Sequence, residues 1–211
     1  MTYSMNMQKG KYDIVFDGPH LTAWRIHNVN HIPVVRLDGT LTFYVLAKKD
    51  NAFAKSLCAI LGKPVCALAS PNLGTVSIFA MYNNPVIHPE IRIIEGGMRK
   101  VMKKFMAGDC DYAVVRDKLY KKLPPEKQAL IKILGKSQST PNQSLSVTTK
   151  IPKEKRNAII KAFTSIEGTQ VADKLLSRFS KKKNTLSKLT SLNFKIWSFY
   201  WKVLFGAGSS R

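Results

Sequence analysis

From Gly62 to Asp111 short apolar runs alternate with helix-like segments, and that order constrains the fold more than any other feature of the chain. The run Pro64-Val65-Cys66-Ala67-Leu68-Ala69 leads into a turn, Ser70-Pro71-Asn72-Leu73-Gly74, and a helix opening at Thr75. Ile91 to Ile94 reads as a second strand, Gly96-Gly97 as a turn, Met98 to Met106 as a second helix and Tyr112 to Val115 as a third strand. In the second helix Met98, Val101, Met102, Phe105 and Met106 recur at helical spacing and make one apolar stripe, while Arg99, Lys100, Lys103 and Lys104 face away. Strands alternating with single helices predict a parallel β-α-β-α-β sheet with crossover helices. Ligands of such sheets bind where strand carboxyl ends meet helix amino termini, and both glycine-bearing turns fall there.

The flanks read as further strands and helices. Lys11 to Phe16 is a buried strand, and Asp17-Gly18-Pro19-His20 turns into a helix over Leu21 to His27, with proline suited to the first helical turn. Ile32 to Leu37 and Thr40 to Ala47 predict two strands of a hairpin around Asp38-Gly39. Ala52 to Leu61 predicts a helix stopped by a left-handed Gly62. Leu130 to Leu134 and Ser144 to Thr149 are strands joined by a polar connector, Gly135 to Asn142. Pro152 opens a helix carrying Ala158, Ile159, Ala162, Phe163 and Ile166; Gly168 breaks it, and Val171, Ala172, Leu175, Leu176 and Phe179 continue on another.

The charge is uneven: 9 Lys and Arg face 5 Asp and Glu in residues 1–94, but 25 face 8 in residues 95–211, for a net +21 overall. That balance draws the chain toward something anionic. The three cysteines, Cys58, Cys66 and Cys110, are odd in number and lack CxxC spacing, so the sequence predicts buried thiols rather than a zinc site or a disulfide. The four histidines never stand at metal-ligand spacing with them, and no cofactor motif, Walker loop or serine-nucleophile elbow occurs. Met1 to Gln8 has no apolar signal core, and no run of 18 apolar residues marks a membrane span. The aromatic stretch Phe194 to Phe205, interrupted by Lys195 and Lys202, has two readings: contact with a membrane surface, or packing of its aromatic face on the protein. At Leu73-Gly74-Thr75-Val76-Ser77, backbone N–H groups at a helix start and two hydroxyls suit an anion.

Taken together, the motifs resemble a known family. Lys9 to His20 is similar to the "GKYDI…GPH" segment of periplasmic solute-binding proteins for phosphate, phosphite and phosphonate, the substrate-capture subunits of ABC importers. Gly62 to Val65 and Ser70 to Thr75 resemble that family's second-lobe strand and Ser/Thr-bearing phosphonate loop. Glu95-Gly96-Gly97, Ala107 to Ala113 and Ser137 to Asn142 are similar, in order, to its later helix start, its "GxxDAA" strand and its return to the first lobe. The resemblance spans about residues 8 to 178.

It implies an α/β, two-lobed type 2 periplasmic-binding-protein fold that captures a small phosphorus oxyanion between its lobes, without a cofactor or enzymatic step. Lobe one would take residues 1–49 and 137–211 and lobe two residues 50–136, with crossings near Lys48–Asp50 and Lys136–Asn142. By resemblance, Gly18, Pro19 and His20 belong to the first-lobe wall, and Leu73, Gly74 and Thr75 to the phosphonate loop. Gly97 and Met98 match the next helix start, and Arg116 and Asp117 the loop at the ligand's other end. The implied partner is an ABC transporter permease and the implied location the periplasm. The chain departs from the family in placing Leu73-Gly74 where hydroxyls are common and Met98 where some members have histidine. Family members begin with a strand, a helix and a second strand before the "GKYDI" element, and without these the resemblance implies a lobe one that would be incomplete, with an open sheet edge. The competing reading is a basic, non-enzymatic protein binding nucleic acid or anionic membrane, or a degenerate sensor domain. Specific nucleic-acid binding is not expected, because the basic residues are largely lysines on helix backs. An acid–base pair of Asp17 and His20 is also conceivable chemically, but no nucleophile accompanies it.

Overall fold

The computed structural model describes residues 2–82, 86–176 and 185–189, and the chain divides into two compact units, Met1–Thr40 with Thr140–Arg211 and Leu41–Ser139. In chain order the first unit contributes helix α1 (Thr2–Gln8), strand β1 (Ile14–Asp17), helix α2 (Pro19–Val29) and strand β2 (His31–Leu37). Short β3 (Thr40–Leu41) stands at the first crossing. The second unit follows with β4 (Phe43–Lys48), a single 3-10 turn (Leu57–Ile60), β5 (Pro64–Ala67), α3 (Leu73–Phe79), β6 (Glu90–Ile93), α4 (Met98–Met106) and β7 (Tyr112–Arg116). It closes with α5 (Asp117–Tyr120), α6 (Pro125–Gln128) and β8 (Ile131–Lys136). The chain then returns through β9 (Thr140–Pro141), β10 (Ser144–Thr148), α7 (Lys153–Thr164), α8 (Ile166–Leu176) and β11 (Leu186–Lys188).

The second unit holds a five-stranded sheet in the order β6-β5-β7-β4-β8. β5 runs parallel to both β6 and β7, as the alternating pattern requires, while β4 is antiparallel to β7 and to β8. The α4 stripe predicted from spacing is the one that packs: Val101, Met102 and Phe105 are buried against Leu46, Cys66 and Val115. Each such side chain stabilises the unit by about 1.5–3 kcal/mol relative to exposure. Lys48 donates its Nζ to the Met106 carbonyl at 2.9 Å, placing a cation at the negative end of α4.

Ile32–Leu37 and Thr40–Ala47 do not form a hairpin: β2 pairs with β10 and β11, whereas β4 pairs with β7 and β8 in the other sheet. Gly39 does take a left-handed φ of 89°, yet the chain it turns leaves one sheet for another, so the first crossing falls between Thr40 and Leu41 rather than near Lys48–Asp50. The stretch from Ala52 to Leu61 makes only the short 3-10 turn, although Gly62 is left-handed as expected. Cys66 and Cys110 are not the buried free thiols expected from their spacing. Cys66 on β5 and Cys110 before β7 form a disulfide with Cα atoms 6.0 Å apart, leaving Cys58 free and exposed. Two buried cysteines brought face to face by parallel pairing of β5 and β7 are invisible to a spacing rule.

The first unit is a four-stranded antiparallel sheet in the order β1-β10-β2-β11. The two faces of β10 differ. Leu145 and Val147 join an apolar cluster with Val35, Leu37, Ala172 and Leu186, while Ser144 and Ser146 meet Thr22 of α2 and His31 through their hydroxyls. Gly168 lies inside α8 and is not the break between helices; that break is Ser165, whose backbone is extended. A Cβ on Gly168 would run into the Ala162 carbonyl oxygen, so glycine is required by the closeness of α7 to α8. β1 stands at an edge of the sheet, with Ile14 and Phe16 exposed.

Candidate functional site

The sequence-predicted site residues fall into two groups, one in each unit. In the first unit, Gly18 caps α2 with Pro19 at its first position and His20 next; Pro19 and His20 are buried. The preceding Asp17 is committed elsewhere: its Oδ1 accepts from the Tyr3 hydroxyl at 2.7 Å and its Oδ2 from Arg25 Nε at 2.6 Å. Arg25 is fully buried and also donates to the Tyr3 hydroxyl at 2.9 Å. Burial and the Asp17 carboxylate push the Tyr3 phenol above its ordinary range, so it remains a donor. Asp17 therefore anchors α2 to β1.

In the second unit the remaining residues gather around Phe43, at the start of β4. α3 begins at Leu73, two residues earlier than the sequence suggested, because Asn72 caps it by accepting from the Gly74 N–H at 3.0 Å. Leu73, Gly74 and Thr75 are thus the buried first turn, and the Thr75 hydroxyl donates to the Leu68 carbonyl at 2.6 Å. Both donors are satisfied within the loop. A Cβ at Gly74 would lie 2.9 Å from Phe43 Cδ1 and 3.1 Å from Met98 Cε. Gly97, with φ of 91°, caps α4 and positions Met98 there. Phe43 pairs in register with Arg116, the last residue of β7, and the Asp117 N–H donates to the Thr42 carbonyl at 3.0 Å. Phe43 and Met98 thus border Gly74, Arg116 is the register partner of Phe43, and Asp117 is held to the residue before it.

The electrostatics of this cluster are unusual. Among the described residues, Arg116 Nε and Asp117 Oδ1 are both buried and without hydrogen-bond partners. Burial lowers the Arg116 pKa, opposed by the neighbouring Asp117. The other Asp117 oxygen accepts from exposed Lys121 at 2.7 Å, and that hydrogen bond raises the Lys121 pKa. A buried N–H and a buried carboxylate oxygen that lack partners are costly, and here consecutive residues carry one unmatched donor and one unmatched acceptor.

Sequence reasoning missed Phe43 and the hydroxyls beside it. The Phe43 N–H donates to Ser137 Oγ at 2.9 Å, and Thr42 Oγ1 lies 2.7 Å from Ser139 Oγ. Only the pairing of β4 between β7 and β8 brings these residues to Arg116, and nothing in their local sequence signals it. Among the described residues no group of three or more His, Cys, Asp or Glu is placed to hold a metal, and no helix is long and apolar enough to cross a membrane. Phe179 and the stretch Phe194 to Phe205 lie outside the described residues.

A family model, ABC transporter, phosphonate, periplasmic substrate-binding protein, matches residues 2–188. Among solved structures, a Xanthomonas citri protein bound to ATP aligns at a TM-score of 0.75 with 10% identity, covering 97% of this chain and 82% of that one. A binding protein component of an ABC phosphonate transporter from Pseudomonas aeruginosa aligns at 0.62 with 14% identity, covering 98% and 74%. PhnD1 from Prochlorococcus marinus, in complex with methylphosphonate, aligns at 0.65 with 12% identity, covering 96% and 80%. At these identities the likeness is one of fold, the type 2 periplasmic-binding-protein fold. No curated protein matches the sequence.

Proposed function

We propose, because this chain belongs to the family of periplasmic substrate-binding proteins of phosphonate ABC transporters, that it captures a small organophosphonate through Arg116 and Asp117 and delivers it to a transporter permease. The observation that carries this reading is the pair of buried, unpartnered polar atoms, Arg116 Nε and Asp117 Oδ1. A singly protonated phosphonate accepts from the guanidinium with an unprotonated oxygen and donates its P–OH to the carboxylate. Phe43 and Met98 at Gly74 supply an apolar contact suited to a P–C methyl group, which phosphate and phosphite lack. The Cys66–Cys110 disulfide supports a periplasmic location, since such bonds persist in oxidising compartments.

Isothermal titration of the purified chain with methylphosphonate, phosphite and phosphate at moderate salt tests this. The expected result is one-to-one saturable heat, largest in affinity for methylphosphonate and little changed by added sodium chloride. The net charge of +21 favours a second reading, a general polyanion binder. Heat that appears only with polyanions and vanishes steeply with salt would favour that reading and overturn the first.

A further inference from the structure

Strand β6 ends the five-stranded sheet of the second unit, and among the described residues its one strand neighbour is β5. The hydrogen bonds on the β5 side fix which backbone groups face outward. The Glu90 N–H donates to the Lys63 carbonyl at 3.1 Å, the Ile94 N–H donates to the Ala67 carbonyl at 2.8 Å, and the His88 carbonyl accepts from the Gly62 N–H at 3.4 Å. Alternation along a strand then turns the N–H and C=O of Ile91 and Ile93 away from β5, as a template for another strand. Ile93 is 58% exposed, and Glu90 and Arg92 are exposed on either side of Ile91. Arg92 is the register partner of Cys66 and donates Nη1 to the Asp109 carbonyl at 2.7 Å, which puts it, and by alternation Glu90, on the α4 face of the sheet. Ile91 and Ile93, partners of Val65 and Ala67, lie on the opposite face.

We infer that this edge pairs antiparallel with β6 of a second copy of the chain, about a two-fold axis at Ile91. Charge selects that register. With the axis at Ile91, Glu90 stands opposite the partner's Arg92 and Arg92 opposite the partner's Glu90, so both pairs are of opposite sign. An axis at Glu90 or at Arg92 sets like charges opposite each other, which is destabilising. The same register satisfies the outward backbone. The two Ile91 residues exchange N–H···O=C bonds, and the Ile93 N–H reaches the partner's Pro89 carbonyl, which meets His88 Nδ1 at 2.8 Å and keeps a second lone pair. On the opposite face the isoleucines of the two copies lie together and cover the exposed Ile93. The interface is isologous, so it closes at two chains. A strand of four residues makes it small, and the dimer exchanges with single chains on dilution.

Sedimentation of the full chain over a hundredfold range of protein concentration tests this, at moderate salt that screens the net charge of +21. The expected result is a mass that rises from one chain to two. Arg92→Glu and Glu90→Arg each set like charges opposite and should each weaken the dimer by about tenfold. Making both exchanges in one chain restores opposite pairs and should restore the dimer. That double variant also lacks the Arg92 contact with Asp109, so its recovery isolates the pairing between copies from any effect within one chain. A parent that stays a single chain at every concentration overturns the inference. So does a dimer indifferent to the single exchanges, a double variant that stays a single chain, or a mass that grows beyond two.

Discussion

Phe43 and Gly74 are in contact with no side chain between them: a Cβ on residue 74 would stand 2.9 Å from the Phe43 ring. The first turn of α3 and the start of β4 are locked together there, with Met98 closing the third side. Gly74→Ala should therefore overpack the cluster at a cost of about 1–3 kcal/mol, visible as a lower urea midpoint. It should also weaken methylphosphonate binding in the same variant, because Phe43 and Arg116 are register partners. Unchanged stability would show that the ring can move aside.

The Asp17–Arg25 pair is buried on both sides and should behave as a unit. Asp17→Asn leaves a guanidinium without its counter-charge and should destabilise the chain by about 3–5 kcal/mol. Replacing both residues by apolar ones of similar volume should cost clearly less than the sum of the single changes, as a double-mutant cycle from denaturant unfolding would measure. Additive costs would mean the pair is not coupled.

The disulfide between Cys66 and Cys110 closes a separation of 44 residues. In the chain-entropy view it stabilises by about 4 kcal/mol, so reductant or Cys66→Ser should lower the unfolding midpoint of the second unit strongly. Free-thiol titration of the denatured, unreduced chain should give one thiol, from Cys58.

How much of this was legible beforehand follows a physical divide. The parallel β5-β6-β7 arrangement and the buried stripe of α4 were readable because each rests on local periodicity, which Val101, Met102 and Phe105 obey. The placement of β4 was not, because Phe43 to Lys48 reads equally well as either half of a hairpin and only long-range pairing decides it. The same long-range pairing hid the disulfide and kept Phe43 out of the site. Arg116 and Asp117 were singled out by resemblance to a family motif, but their unpartnered buried atoms appear only in three dimensions.

His31 supplies a pH dependence. Burial holds its pKa below the ordinary 6.5, reinforced by Arg25 and opposed by a backbone contact with Tyr12. The unfolded chain therefore takes up this proton before the folded one does. Stability is full above about pH 6.5 and falls as pH drops from there toward the folded value. His31→Gln, which cannot titrate, should flatten the loss of stability between about pH 7.5 and 5.5 in denaturant titrations. An identical slope in the variant would place the titrating group elsewhere.

The central claim is that the half-buried Arg116 guanidinium, whose buried Nε–H is unmatched among the described residues, receives the phosphonate oxygen. The most direct measurement is the ¹⁵N–¹H resonance of Arg116 Nε, assigned by its disappearance in Arg116→Lys, during titration with methylphosphonate. A saturable one-to-one downfield shift that tracks the calorimetric curve is the predicted result. Saturable methylphosphonate binding with the Arg116 Nε resonance unmoved would contradict it.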